Sequence, residues 1–477
     1  MRKLVGRKKV VLPISKEDFY NNIYGSLKEY LGNAISTHNS NVSDIKYLHK
    51  VYLGMQDIYY EKTRYDSSSI NNKNVENHIN KIVNFKVGFM YGNPLDYSIV
   101  KAINTDDMTI FNSYMIDSNK ASLDIEKAQD LYEFGVAYQL VLPKRQEQIE
   151  DIDTNSPFLL SNLPVESTCV VYSSDVISEE LFGLVITKRI GKNGMSENIY
   201  NVYMPNRRIL LNSDYNVISD DLQAYDFIPI IEYTCNKTRM GIIELGLSMQ
   251  NLINKINSSE MDDIEENINS FIVFLNQRVD DDFKKNLKEL KASRVIALNT
   301  NNVQAPADLK AFSTSLNLDY VNAFYERTVK ALYDITATPQ SSGNVTSGGD
   351  TGQARLLGNG WESAQNQAQL EQTYLLQYER KLCRYILKIC KQNPNCKIDE
   401  INASDIDIKF NINMSNNLLI KSESLKLLND SLLPEKVILK ICGLTSDVDG
   451  VGNEWIANKQ KAQQESQVQE ENTVREN

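Results

Sequence analysis

Apolar residues recur at three- and four-residue steps along most of the chain, and the clearest such pattern brackets a stretch almost devoid of them. Leu318, Val321, Tyr325, Leu332 and Ile335 mark one face of a helix over Leu316–Thr338. Glu326–Lys330 and Lys330–Asp334 pair four residues apart on its outer side. The pattern stops at Thr338-Pro339, because proline disfavours α geometry in the residue before it. Gln340–Gln353 follows, with four glycines and one aliphatic, Val345, too little apolar surface to order the segment without a neighbour or ligand. From Ala354 the helical signal returns and runs to Gln392, a rod of roughly 60 Å at about 1.5 Å per residue. Gly358 and Gly360 are expected to bend its start, and Leu375, Tyr378, Leu382, Ile386 and Ile389 form a regular seam beyond them.

The same periodicity predicts helices over Lys16–Ile35, Tyr47–Arg64, Ile70–Gly88 and Ile110–Leu131, so the first 130 or so residues are mainly α. Between Phe134 and Cys235 the texture becomes β-branched and aromatic. Val136–Leu142, Cys169–Ser173, Phe182–Ile190, Ile199–Met204, Arg208–Leu211 and Ile228–Tyr233 read as strands, with Gly191–Gly194 a hairpin turn. At Gly241 the helical period resumes, with Leu245, Met249, Leu252 and Ile256 on one face. Phe271–Leu275 and Arg294–Leu298 read as strands around a short charged helix, Asp280–Lys291. Beyond Pro394, Ile406–Ile412 alternates as a strand, Ser422–Asn429 and Pro434–Cys442 read as short helices, and Lys459–Asn477 is a solvated tail.

A net charge of −11 and a pI near 5.1 argue against gripping nucleic acid with the overall surface. No apolar run approaches the roughly 20 residues needed to span a bilayer, and the basic opening (Arg2, Lys3, Arg7, Lys8, Lys9) lacks a signal peptide's apolar core. The chain therefore reads as cytoplasmic when made, and its opening as a frayed arm or a basic contact. Enzyme chemistry is sparse: there is no phosphate-binding glycine loop and no nucleophile elbow around His38, His49 or His78. Cys383, Cys390 and Cys396 lack zinc-ligand spacing and read as free thiols. Asp447–Gly450 starts like a calcium loop, but Val451 and Asn458 stand where oxygen ligands are needed, so it reads as a turn. Glu260, Asp262, Asp263, Glu265 and Glu266 crowd the end of the Gly241 helix, either as a solvated face or as metal-binding or catalytic carboxylates.

The order of elements, with Tyr47–Arg64, Asn71–Pro94, Phe134–Leu142, Ile228–Glu266 and Thr338–Trp361, resembles the portal proteins (head–tail connectors) of long-tailed double-stranded DNA bacteriophages. That resemblance implies an α+β, predominantly α portal-type fold: a wing over 1–240 with its β-rich part at 134–235, stem helices at 241–269 and 316–338, and a small α+β clip at 270–315. A tunnel loop at 339–352, a long wing helix at 353–392, a crown at 393–458 and a disordered tail at 459–477 would complete it. It implies a ring, a dodecamer by analogy, at one capsid vertex of the virion, assembled in the host cytoplasm, with duplex DNA passing through and with no cofactor, metal or catalytic site. Partners would be the terminase large subunit, a head-completion adaptor, and the major capsid and scaffolding proteins. Tunnel-loop residues Ser342, Gly343, Asn344, Thr346, Ser347, Gly348 and Gly349 would meet DNA. Glu260, Asp263 and Glu266 would line the lumen, and Arg278, Asp281, Lys284 and Lys288 would belong to the clip's partner surface. A metal-dependent nuclease using the 260–266 carboxylates, or a helical virion scaffold without a channel, remain the other readings.

Overall fold

The computed structural model describes residues 4–62, 70–99, 105–144, 155–190, 194, 196–268, 271–275, 308–312, 318–340, 360–394, 396, 398, 400–412, 425–429, 434, 438–439 and 455–458. The fold is mixed α+β, built around two apolar cores that share one helix. Strand β1 (Val10–Val11) and helix α1 (Lys16–Asn21) lead into α2 (Ile23–Tyr52), a 30-residue rod of about 45 Å. Leu27, Leu31 and Ala34 of α2 enter the smaller core, while Ile45, Leu48 and Val51 enter the larger.

The two helices expected over 16–35 and 47–64 thus merge, with a break at Asn22, whose side chain accepts from Gly25 N at the start of α2. The polar stretch between them is helical because it is buried against backbone. Asn41 accepts from Lys8 N and donates to Lys8 O, both at 2.8 Å, and His38 Nε2 lies 3.0 Å from Glu166 O. These bonds replace the apolar contacts that the pattern lacks there. The opening segment is likewise no frayed arm from residue 4 onward. Arg7 is buried with its guanidinium 2.6 Å from Glu244, and Lys9 sits 3.8 Å from the ring centroid of Tyr172.

Helix α3 (Ile58–Glu61) ends the second expected helix early, and 70–77 run extended into α4 (His78–Tyr91). A short strand, β2 (Asp96–Ile99), precedes α5 (Thr105–Asp117) and α6 (Lys120–Phe134), which split the helix expected over 110–131 at Asn119, in left-handed geometry with φ 53°. The β region matches its expected strands and adds two that the alternation does not mark. In order it comprises β3 (Ala137–Pro143), β4 (Phe158–Leu163), β5 (Thr168–Tyr172), β6 (Glu180–Ile190), β7 (Ser196–Met204), β8 (Arg207–Leu211), β9 (Val217–Leu222) and β10 (Ile230–Tyr233). They form a six-stranded sheet, β1-β5-β6-β7-β8-β9, and a three-stranded sheet, β10-β3-β4; every pairing but β1–β5 is antiparallel.

Helix α7 (Ile242–Ile268) follows, then β11 (Phe271–Leu275) paired antiparallel with β12 (Asp308–Phe312). The β11 partner is therefore 308–312; the strand and helix expected at 294–298 and 280–291 lie outside the described residues. Helices α8 (Leu318–Ile335) and α9 (Trp361–Gln392) come next, and β13 (Ile406–Lys409) returns to pair with β2. Among the described residues no helix is long and apolar enough to cross a membrane, and cysteines 169, 235, 383, 390 and 396 are buried free thiols.

α9 lies across the three-stranded sheet, with Tyr385 stacked on Phe227 at 4.0 Å between centroids and Tyr378 OH 2.8 Å from Thr234 Oγ1. Its seam is buried as expected at Leu375, Leu382, Ile386 and Ile389. What locks it to α6 is a buried group of four charges. Lys127 Nζ lies 2.6 Å from Asp124 and 2.5 Å from Glu379, and Lys120 bonds to Asp124 and lies 3.1 Å from Glu379. Burial alone would push the Glu379 carboxyl up, yet the two ammonium groups hold it down to about 2. Lys127→Met leaves two carboxylates sharing one cation and is expected to cost about 3–5 kcal/mol in urea unfolding, whereas Lys127→Met with Glu379→Leu recovers much of that loss. Equal losses in the single and double variants would show that the charges are not coupled.

The helix-pair end and the loop root

Two parts of the chain bear on the expected channel: the acidic end of α7 and the roots of the segment between α8 and α9. The packing of α7 reverses the sequence expectation. Leu245 is 44% exposed and Met249, Leu252 and Ile256 are only half-buried, while Gln250, Asn254, Ser258 and Asp262 are buried. These four polar residues recur every fourth position, so they stack on one helix face, and that face carries the extended segment 70–77. Gln250 Nε2 donates to Glu76 O at 2.7 Å, Asn254 Oδ1 accepts from Glu76 N at 3.3 Å, and Ser258 Oγ accepts from Asn74 N at 2.9 Å. Asp262 accepts from Asn72 N at 2.6 Å and from Lys62 Nζ at 2.5 Å. A polar stripe on a helix normally reads as its wet side; here it hydrogen-bonds a strand-like strap that lacks a sheet partner of its own.

α8 joins on the adjacent side. Gly246 is the crossing point, since a Cβ there would lie 2.7 Å from Leu332 of α8 and 3.2 Å from Ile79 of α4. Tyr325 OH donates to Glu76 at 2.6 Å, and His78 links Glu76 Oε1 (3.0 Å) to Tyr333 OH (3.1 Å). Leu332 of the expected α8 face is buried, but Ile335 is 51% exposed, its place inside being taken by Tyr333 and Thr336.

Of the acidic run, Asp262 is committed to Lys62 and the strap. Glu260 and Asp263 are half-buried on other sides of α7. Glu260 adds to the upward shift that burial and the Glu76 hydrogen bond impose on the Tyr325 phenol. Glu266 lies on the last turns of α7, and its side chain is outside the described residues. Among the described residues no group of three or more His, Cys, Asp or Glu is placed to hold a metal ion.

The loop roots are held by α4. α8 ends in a Schellman turn, with Thr338 N donating to Tyr333 O at 2.9 Å and Ala337 N to Asp334 O at 3.1 Å. Ala337 takes the left-handed position (φ 46°) where glycine is usual, and its carbonyl accepts from Lys86 Nζ of α4 at 3.2 Å. Burial depresses the Lys86 ammonium's pKa, opposed by the Glu371 carboxylate of α9. At the other root Trp361 packs on Phe85 and Phe89 of α4, at 5.9 and 6.1 Å between centroids. Gly360, at φ 87°, begins α9 rather than bending it. A Cβ on Gly360 would lie 3.6 Å from Pro339 Cα, so both ends of the intervening segment emerge side by side. The expected tunnel-loop residues Ser342, Gly343, Asn344, Thr346, Ser347, Gly348 and Gly349 lie in that segment, outside the described residues. So do the expected clip residues Arg278, Asp281, Lys284 and Lys288, and Gly358 and Asp447–Gly450.

A family model described as "Phage portal protein, SPP1 Gp6-like" matches residues 31–472. The chain belongs to the phage portal protein family. It is a head–tail connector of a phage particle, a virion component. No curated protein matches this portal chain in sequence. A solved structure described as "Neck of empty GTA particle computed with C6 symmetry" is similar over 76% of this chain and 89% of that one, at 12% identity and a TM-score of 0.41.

The Asp262 carboxyl is desolvated, which would raise its pKa, but the Lys62 and Asn72 hydrogen bonds outweigh this and hold it below the ordinary carboxylate value. A depressed carboxyl gives stability that is complete above its unfolded pKa and disappears as pH falls through the folded one. Amide exchange in 70–77 is therefore expected to accelerate below about pH 4, and Asp262→Asn to remove that acid step; an identical pH profile in the variant would refute this role.

Proposed function

We propose that copies of this chain close into a ring around an axial channel through which duplex DNA is packaged and later ejected. The observation that supports it most is an uncovered apolar stripe on α7. Besides the buried Ile243, Leu247 and Ile253, this helix leaves hydrocarbon uncovered: Leu245 is 44% exposed, Met249, Leu252 and Ile256 are half-covered along the same face, and Ile264 near the end of the helix is 43% exposed. An apolar stripe along a 27-residue helix marks a contact with another protein surface. In a head-to-tail arrangement that rotation closes, a second copy covers it. In this reading α7 and α8 are the stem pair, the 270–315 region the clip, 339–352 the tunnel loop and α9 the long wing helix. The N-terminal region is the wing, and residues from 393 the crown.

The ring would be a dodecamer, docking the terminase large subunit during filling and a head-completion adaptor afterwards, beside capsid and scaffolding proteins. Glu260, Asp263 and Glu266 would keep the bore acidic, because cationic contacts bind duplex non-specifically with Kd of order 10⁻⁴–10⁻⁶ M and would resist sliding. The chain would do no chemistry itself, the energy coming from a separate ATPase. The engagement of Asp262 by Lys62 and Asn72 weakens the nuclease alternative, since it withdraws one of that run's carboxylates.

Negative-stain imaging of the full chain tests this reading, with rings bearing an axial hole expected. Leu245→Asp with Ile264→Asp is expected to leave the melting temperature within a few degrees and to abolish the rings. Wild-type particles that remain solitary at every concentration and salt would refute the assembly. In a packaging assay, prolines at Gly343, Gly348 and Gly349 are expected to leave rings intact while lowering DNA retention; normally filled heads would count against a valve in that loop.

A further inference from the structure

Five cations line the C-terminal half of α9, and the structure divides them by partner. Lys381 is paired with Glu180 at 2.5 Å, Lys388 with Asp226 at 2.8 Å, and Lys391 donates to Asn402 Oδ1 at 3.1 Å. Arg380 and Arg384, both exposed, have no ion-pair partner among the described residues. They stand four apart, hence on one face and about 6 Å apart along the axis, where like charges repel. Arg380 and Arg384 line a cavity of about 630 Å³ whose other wall is Asn402, Ala403 and Ser404. Lys391 holds the Oδ1 of Asn402, and Ser404 adds a hydroxyl-bearing side chain to that wall. Asp405, next in sequence to that wall, accepts from Asn402 N at 3.1 Å. The cavity thus has on one wall two arginines without an ion-pair partner among the described residues, and on the other polar side chains, in a chain whose net charge is −11, which suits an anion rich in acceptor oxygens.

We propose that Arg380 and Arg384 form a phosphate-binding cradle that takes successive phosphates of one strand of duplex DNA. Arginine forks match phosphate geometry where lysine supplies only a point charge, and the pair's axial separation is of the order of the step between neighbouring phosphates. Contact with backbone alone holds DNA without reading its sequence; in the reading above α7 carries the acids of the bore and α9 is the long wing helix, so this grip is set apart from the surface along which duplex slides. The DNA assignment rests on the conduit reading above; the arginine-lined cavity does not.

The test is duplex binding by the full-length protein, followed by fluorescence anisotropy across about 50–200 mM salt. Three proteins are compared: wild type, Arg380→Gln with Arg384→Gln, and a charge-matched control, Lys28→Gln with Lys50→Gln on α2. Losing two phosphate contacts should lower the slope of log K against log salt by about 2 and weaken binding about tenfold at the lowest salt, with the control within about twofold of wild type. Equal behaviour of the two double variants, or no binding by wild type, would overturn the cradle. Displacement of the duplex by polyglutamate as readily as by unlabelled duplex would overturn it too, assigning the patch to an acidic protein. Imaging the same preparations separates the two ideas. Closed rings without arginine-dependent binding sink the cradle and leave the conduit, while arginine-dependent binding without rings does the reverse.

Discussion

Four charges buried between α6 and α9 are the constraint on which much of this architecture depends. Lys120, Asp124, Lys127 and Glu379 sum to zero, and each is shut away from water. Taking an ion out of water costs several kcal/mol unless partners meet it in good geometry. The two helices therefore have one acceptable register rather than a range of sliding positions. A second point fixes their direction: Glu371, two turns earlier on α9, accepts from Tyr132 OH, later on α6, at 2.7 Å. The helices run antiparallel, and the charge of Glu371 acts in turn on the buried Lys86 ammonium, which donates to the Ala337 carbonyl. The loop root is thereby referenced to the body of the molecule through a line of charges and dipoles.

Much of this was legible in the residues alone. The α9 seam, the α7–α8–loop order and the β region all follow from apolar spacing, because there the apolar side is the buried side. Family membership followed from local strings in a particular order. Reading failed where burial is polar. The middle of α2 looked like a break because His38 and Asn41 satisfy backbone from Lys8 and Glu166, residues distant in sequence. The apolar face of α7 looked like its core face, but the strap over 70–77 needed hydrogen-bond partners and took the polar side instead. The signal for that was present as Gln250, Asn254, Ser258 and Asp262 at four-residue steps, a spacing that solvent-facing residues also produce.

The cationic arm shows the same lesson from the other side. Arg7 belongs to the packing of α7, where its buried guanidinium meets Glu244. Its charge has an internal duty, so a count of surface basicity overstates what the N-terminus offers to a polyanion. By contrast Arg380 and Arg384 sit in a helix rich in paired lysines, and composition alone does not separate them from their neighbours.

The β2–β13 ladder joins Asp96–Ile99 to Ile406–Lys409, residues some three hundred positions apart. A ribosome must deliver nearly the whole polypeptide before that ladder can close, and loops of such span are slow to shut. Until then one edge of the N-terminal half stays bare, open to pairing with a stray strand from a neighbouring nascent chain. The last of the described strands is thus a seal on the first third of the molecule, and a product truncated before it would leave that edge unguarded.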